Sequence, residues 1–169
     1  MANSLGADRQ TVHLQLAATE TNVKQADLSR YRVLAFATHG LMAGDFKGLA
    51  EPALVLTPPE NGTEFDDGLL TASEIAQLKL NADWVILSAC NTAAADGTPG
   101  AEGLSGLAKA FFYAGSRALL VSHWPVASAA TVKLTTRMFK EGADDPSIGK
   151  AEALRRSMLA MMEIGRAHV

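Results

Sequence analysis

The chain has 169 residues, 48% of them apolar and 20% charged. That profile suits one globular domain with a core and excludes a low-complexity or disordered chain. Its net charge of −3, with no basic cluster beyond Arg155–Arg156, argues against direct nucleic-acid binding. No apolar run is long enough to span a membrane. Residues 1–20 carry Asp8, Arg9 and His13 without a continuous apolar stretch, so they do not read as a secretory signal. The single cysteine rules out an internal disulfide framework and fits a reducing, cytoplasmic setting.

In chain order, Thr11–Leu16 is a short strand candidate and Glu20–Leu28 a polar helical stretch. Tyr31–Thr38 reads as a strong strand whose near-continuous apolar character suits burial on both faces. Residues 40–60 are less regular, with Ala53–Leu56 as a short strand ended by Pro58-Pro59 and Asn61-Gly62. Thr71-Ala72-Ser73-Glu74 has capping-box spacing and opens a helix to about Leu80. The clearest strand is Trp84–Ser88. Residues 91–103 form a glycine-containing loop. The next helix, Leu104–Tyr113, has Leu104, Leu107, Ala108, Phe111 and Phe112 on one apolar face, and Gly115 sits where a helix stop is expected. A buried strand, Ala118–Ser122, and two helices over about 127–141 and 147–162 complete the chain. The alternation of strands and helices predicts an α/β fold with a mostly parallel sheet.

Two of the apolar strands lead into residues able to carry chemistry, one into Thr38-His39-Gly40 and the other into Ser88-Ala89-Cys90-Asn91. The carboxyl ends of parallel strands share one edge of a sheet, where ligands bind. His39 and Cys90 therefore meet on that edge if their strands are neighbours. A thiol becomes a nucleophile as the thiolate, and a nearby imidazole can take its proton and later return it to a leaving amine. Gly40, with no side chain, lets its N–H approach a substrate carbonyl, and with the Cys90 N–H it could form an oxyanion hole. Taken singly, a cysteine at a strand end reads as a small buried hydrophobe, and a His-Gly after a strand as a turn. The joint pattern carries more weight. No Cys, His and carboxylate set has zinc-site spacing, no phosphate-binding glycine loop is present, and no cofactor is expected.

Four blocks, Phe36–Gly40, Leu87–Thr92, Gly103–Phe111 and Ser122–Val126, occur in order and with family-like spacing. Together they resemble the CHAT domains, caspase-like relatives of caspases and separase often found beside tetratricopeptide repeats. Asp66–Ile75 resembles the family's stretch before the cysteine strand. His39 and Cys90 lie 51 residues apart, close to the roughly 50 residues that separate the equivalent pair in caspases. The resemblance implies a caspase-like three-layer α/β/α sandwich, incomplete at its ends. It implies a cysteine endopeptidase with His39 as general base and Cys90 as nucleophile, and a protein or peptide substrate. Regulation by a partner or an attached repeat domain follows from it too.

By the same resemblance, Trp124 and Ser128 correspond to a loop that helps form the pocket for the side chain before the cut. Where many relatives carry an acidic residue suited to Arg or Lys, this chain has Ala127 and Ser128, so a basic specificity is not implied. Glu102 or Asp96 could compensate, though each also reads as a solvated loop charge. His13 and His123 carry less weight. A catalytically silent interaction module is the alternative reading, and a thiol hydrolase of another kind, such as an acyl transferase using the same pair, is a third. Residues 1–162 are expected to be a partial domain. The tail Glu163–Val169 reads as the translation of a common sequencing adapter, with a genuine polar tail as the alternative; it is expected to be non-native, which would remove His168 from consideration.

Overall fold

The computed structural model describes residue 8 and residues 11–45, 47–88, 106–122 and 128–166, with only the backbone given for Ser128 and residues 164–166. The chain divides into two units, one of Leu14–Val126 and one of Met1–His13 with Ala127–Val169. Among the described residues the first unit holds six strands: β1 (Val33–Phe36), β2 (His39–Leu41), β3 (Ala53–Val55), β4 (Leu69–Thr71), β5 (Trp84–Leu87) and β6 (Leu119–Leu120). Its helices are α1 (Glu20–Gln25), α2 (Ala72–Gln77) and α3 (Gly106–Tyr113). The second unit holds α4 (Ser128–Asp144) and α5 (Lys150–Arg166).

The strands form two three-stranded sheets. One is parallel with the order β1-β5-β6, and the other is antiparallel with the order β2-β3-β4. The parallel sheet bears out the α/β expectation. Its central strand β5 is the one buried along its length, at Val85, Ile86 and Leu87. In β1, an outer strand of this sheet, Ala35 is exposed and the other three residues are half-buried. The Tyr31–Thr38 run is therefore a shorter strand, and less covered, than its apolar character predicts.

The register between β1 and β5 runs from Val33↔Trp84 to Phe36↔Leu87, a constant offset of 51 residues. Before the strands begin, Arg32 pairs with Asp83 at the same offset, and Asp83 also meets Arg117 just before β6 at 3.2 Å. These ion pairs are largely solvated and each adds little energy, but together they mark the amino edge of the sheet. At the other end Ser88 donates its N–H to the Phe36 carbonyl at 2.9 Å, which carries the pairing one residue past β5.

A shared core joins these elements. Leu54 and Leu70 from the antiparallel sheet, Val85 and Leu87 from β5, Ile75 from α2 and Leu107 and Phe111 from α3 are all buried in one cluster. Phe111 also meets Phe36 with ring centroids 5.5 Å apart. Phe112 is exposed, contrary to the expected apolar face. At 100° per residue it lies about 140° round the helix from Leu107, just past the buried arc. The α3 stop falls where expected: Gly115 has φ +109°, and Ser116 donates to the Phe111 carbonyl at 3.0 Å.

One expectation fails, and two short strands escape the sequence. Thr11–Leu16 is not a strand. Gln15–Ala17 form a 3-10 turn with no buried residue, because its apolar side chains Leu14 and Leu16 point to solvent and find no sheet to join. The antiparallel strands β2 and β4, at three residues each, are too short for periodicity to reveal.

A polar clasp ties α1 to the segment before α2. Glu20, 1% exposed, accepts N–H bonds from Asp67 and Gly68 at 3.0 and 3.1 Å. Thr21 donates its N–H and its hydroxyl to Asp66 Oδ2 at 3.0 and 2.6 Å. Lys24 Nζ pairs with Glu20, donates to Glu74 Oε1 and the Phe65 carbonyl at 2.7 Å each, and sits 4.8 Å above the Phe65 ring. Glu74 Oε2 accepts from the Thr71 N–H at 2.9 Å and closes the capping box predicted from the sequence.

These contacts shift the groups involved. Hydrogen bonds from Thr21 hold the Asp66 carboxyl below its ordinary value, against the opposing effect of burial. Burial pushes the Glu74 carboxyl up, but the Lys24 and Thr71 bonds outweigh it and the net shift is downward. Burial likewise pulls Lys24 down, and its bonds to Glu20 and Glu74 more than offset this, leaving the ammonium above its ordinary value.

In the second unit Ser157 Oγ donates to the Leu134 carbonyl at 2.8 Å, and buried Thr135, Met138, Ala153 and Ser157 let α4 and α5 approach closely. Glu152 is held at a pKa of about 2 by hydrogen bonds first from Arg155 and then from Arg156. Arg156 also reaches Asp145 at 3.3 Å.

Two outcomes follow. A Cβ at residue 115 would stand 2.5 Å from the Leu80 carbonyl oxygen at a φ that L-residues rarely adopt. Gly115→Ala should therefore lower the stability measured by urea unfolding by about 3 kcal/mol; an unchanged midpoint would contradict the packing described. Lys24→Met leaves Glu20 buried without its cation and should cost about 3 kcal/mol at neutral pH. Asp66 and Glu74, with lowered folded values, stabilise fully above their ordinary values of 3.8 and 4.5 and lose that contribution as pH falls through the folded ones. Lys24, raised above 10.5, contributes below that value and loses its effect as pH rises through the folded one. The Lys24→Met penalty should thus shrink on acidification, and an equal penalty at neutral and acid pH would contradict the clasp.

Candidate active site

The carboxyl edge of the parallel sheet is where the sequence directs attention, and β1 and β5 are indeed neighbours running the same way. The condition for bringing the two strand-end segments onto one edge is met. The chain after β1 differs from expectation in one respect. Instead of ending in a turn, it passes through Ala37 and Thr38 and enters β2 directly at His39. His39 faces Val55 across the antiparallel pairing, and Gly40 faces Leu54. His39 is exposed and Gly40 half-buried, so the imidazole is open to solvent while the glycine backbone is held in a sheet. Thr38 donates its hydroxyl hydrogen bond to the Val55 carbonyl.

Cys90 and Trp124 lie outside the described residues, as do Asp96, Glu102, His123, Ala127 and His168. Ser128 is the first residue of α4, with only its backbone described. The last described residue before Cys90 is Ser88, bonded to Phe36. Among the sequence candidates, His39 and Gly40 are thus located, on adjacent positions of β2. His13 is exposed on an irregular segment.

Two features of this region escape a sequence reading. Thr38 could be read as the last residue of a strand, and nothing in its neighbours announces a bond to residue 55. The Lys24 clasp left a faint signal in the Glu20–Lys24 spacing, a favourable i,i+4 pair; the links to Phe65 and Glu74 are long-range. Lys24, Glu64, Phe65, Glu74, Gln77 and Leu78 line a shallow cleft whose walls include neither His39 nor Gly40. Among the described residues no group of His, Cys, Asp and Glu is arranged to hold a metal ion, and no helix is long and apolar enough to cross a membrane.

Comparison with known proteins adds to this picture. A stretch of 63 residues is 41% identical to tetratricopeptide repeat protein 28 of Mus musculus, covering 37% of this chain. The chain spans about 2% of the length of that protein. The family model for the CHAT domain matches residues 1–168. With nearly its whole length matched, the chain belongs to the CHAT domain family.

Proposed function

We propose that the protein is a cysteine endopeptidase of caspase-like type, with Cys90 as nucleophile and His39 as its base. The family is related to caspase-like cysteine peptidases, and the observation that carries the reading to these residues is the register of the sheet. Arg32 with Asp83 and Phe36 with Leu87 stand opposite one another at an offset of 51 residues. His39 and Cys90 share that offset, each three residues beyond the last paired position. Ser88, two residues before Cys90 in the sequence, is bonded to Phe36 at the end of β1. The reading includes the complete three-layer sandwich, of which the described residues supply the parallel sheet with its helices.

The chemistry follows from those two groups. His39 takes the Cys90 thiol proton, and the thiolate sulfur attacks the scissile carbonyl carbon, forming the C–S bond of a tetrahedral intermediate. The N–H groups of Gly40 and Cys90 stabilise the developing oxyanion. The C–N bond breaks as the imidazolium donates its proton to the leaving amine. Water then attacks the thioester, giving a proton to His39; the C–S bond breaks, the thiol is restored, and the product leaves as a carboxylic acid. No cofactor enters these steps. Trp124 is assigned to the substrate pocket on family resemblance. A protein or peptide substrate and control by a tetratricopeptide-repeat or other regulatory domain belong to the same reading, as does a cytoplasmic setting that keeps the single thiol reduced.

A second reading, a CHAT module that binds without turnover, is favoured by one observation: Ala127 and Ser128 stand where an acidic pocket residue would hold a basic side chain. Alkylation of Cys90 by iodoacetamide separates the two. Followed by mass from about pH 5 to about pH 9, it should proceed well below the ~8.5 of a free thiol. His39→Ala should return the profile to that of an ordinary thiol. Identical profiles for the two proteins would overturn the dyad and favour the binding module.

A further inference from the structure

We propose that Thr38 is a positioning residue for His39; the proposal rests on the dyad reading above. Between Phe36 and His39 the chain leaves a parallel sheet and joins an antiparallel one, with Ala37 and Thr38 as the whole of the connection. His39 is exposed, so burial does not hold its imidazole in place. What fixes its position is the backbone on either side.

Thr38 Oγ1 donates to the carbonyl of Val55, and Val55 is the residue facing His39 across the β2–β3 pairing. The hydroxyl thus ties the residue before His39 to the residue opposite it, at the point where the chain changes sheets. Val55 in turn lies in the middle strand of the antiparallel sheet, paired on its other side with Leu69. Two neighbours in the same strand, Ala53 and Leu54, are fully buried. The anchor at the far end of the bond is therefore a rigid one.

A threonine suits the task, because branching at Cβ restricts χ1 and holds the hydroxyl in few directions. Valine has nearly the same shape and cannot donate. Serine can donate and keeps the bond with less stiffness. A catalytic group displaced by about 1 Å can lose on the order of 100-fold in rate, so a hydroxyl that sets the path of the chain at His39 has leverage without touching substrate.

The test compares Cys90 alkylation profiles for the parent chain, His39→Ala, Thr38→Val and Thr38→Ser, with a thermal melt of each. Thr38→Val should keep its cooperative melt and lose at least about tenfold of the His39-dependent alkylation rate near neutral pH. Thr38→Ser should recover most of that loss. On a cleavable peptide, Thr38→Val should lower kcat with little change in KM. A Thr38→Val protein with the parent profile, while His39→Ala is shifted, overturns the positioning role and leaves the dyad standing. Loss of the cooperative melt in Thr38→Val makes the bond a support of the fold and also overturns the role. Identical parent and His39→Ala profiles remove the dyad itself, and the role of Thr38 with it.

Discussion

The in-register parallel pairing of β1 with β5 is the constraint on which the rest of the account depends. Parallel strands cannot be joined by a tight turn, and here 47 residues separate Phe36 from Trp84. That long connection is filled by the antiparallel sheet and α2, and its path fixes where His39 emerges. A slip of one residue would turn every side chain of a strand to the opposite face. It would turn Val85 and Leu87 away from the core cluster they share with Ile75 and Phe111. The same slip would separate Arg32 from Asp83. Core burial sets the register and the solvated ion pairs at the amino edge agree with it, so the carboxyl edge inherits its alignment from the hydrophobic core.

The clasp around Lys24 serves the same alignment from a distance. The segment from Thr63 to Gly68 buries little apolar surface of its own; Phe65 is half exposed. It is held by charge and hydrogen bonding from α1, a helix of six residues that would be unstable alone. Each partner supports the other. Glu20 satisfies the backbone N–H groups of Asp67 and Gly68, while the Phe65 carbonyl of the segment and the Glu74 carboxylate of α2 hold the half-buried ammonium of Lys24. Gly68 is left-handed with φ +88° and its position would bring a Cβ within 2.9 Å of Pro58, so only a glycine lets the segment turn into β4. From β4 the capping box starts α2, which packs on the core beneath β5.

Much of this architecture is legible in the sequence where apolar side chains are many and regularly spaced. The runs at Val33–Phe36 and Trp84–Leu87 read as strands because both are continuously apolar, although only β5 is buried along most of its length, and the capping box Thr71–Glu74 is local chemistry. The helix stop at Gly115 is legible for the same reason. What escapes is non-local. Three-residue strands such as β2 and β4 carry no periodicity, and their existence depends on pairing with β3. Leu14 and Leu16 look like a strand, yet among the described residues no partner strand lies beside them. The constant offset of 51 residues is hidden in the sequence too: the spacing of His39 and Cys90 can be counted, but that the same number is the register of the sheet emerges from the pairing.

The most direct measurement asks whether positions 39 and 90 lie within a side chain's reach of one another. The chain has a single cysteine, so His39→Cys yields a protein with one pair of thiols. β1 and β5, the strands from which the two segments continue, are neighbours, and neighbouring strands stand about 4.8 Å apart. Treated with a short bifunctional thiol reagent and read by peptide mass, the variant should give one intramolecular bridge between residues 39 and 90. Separate modification of the two thiols in the folded protein, with no bridge, would contradict the alignment on which the proposed chemistry is built.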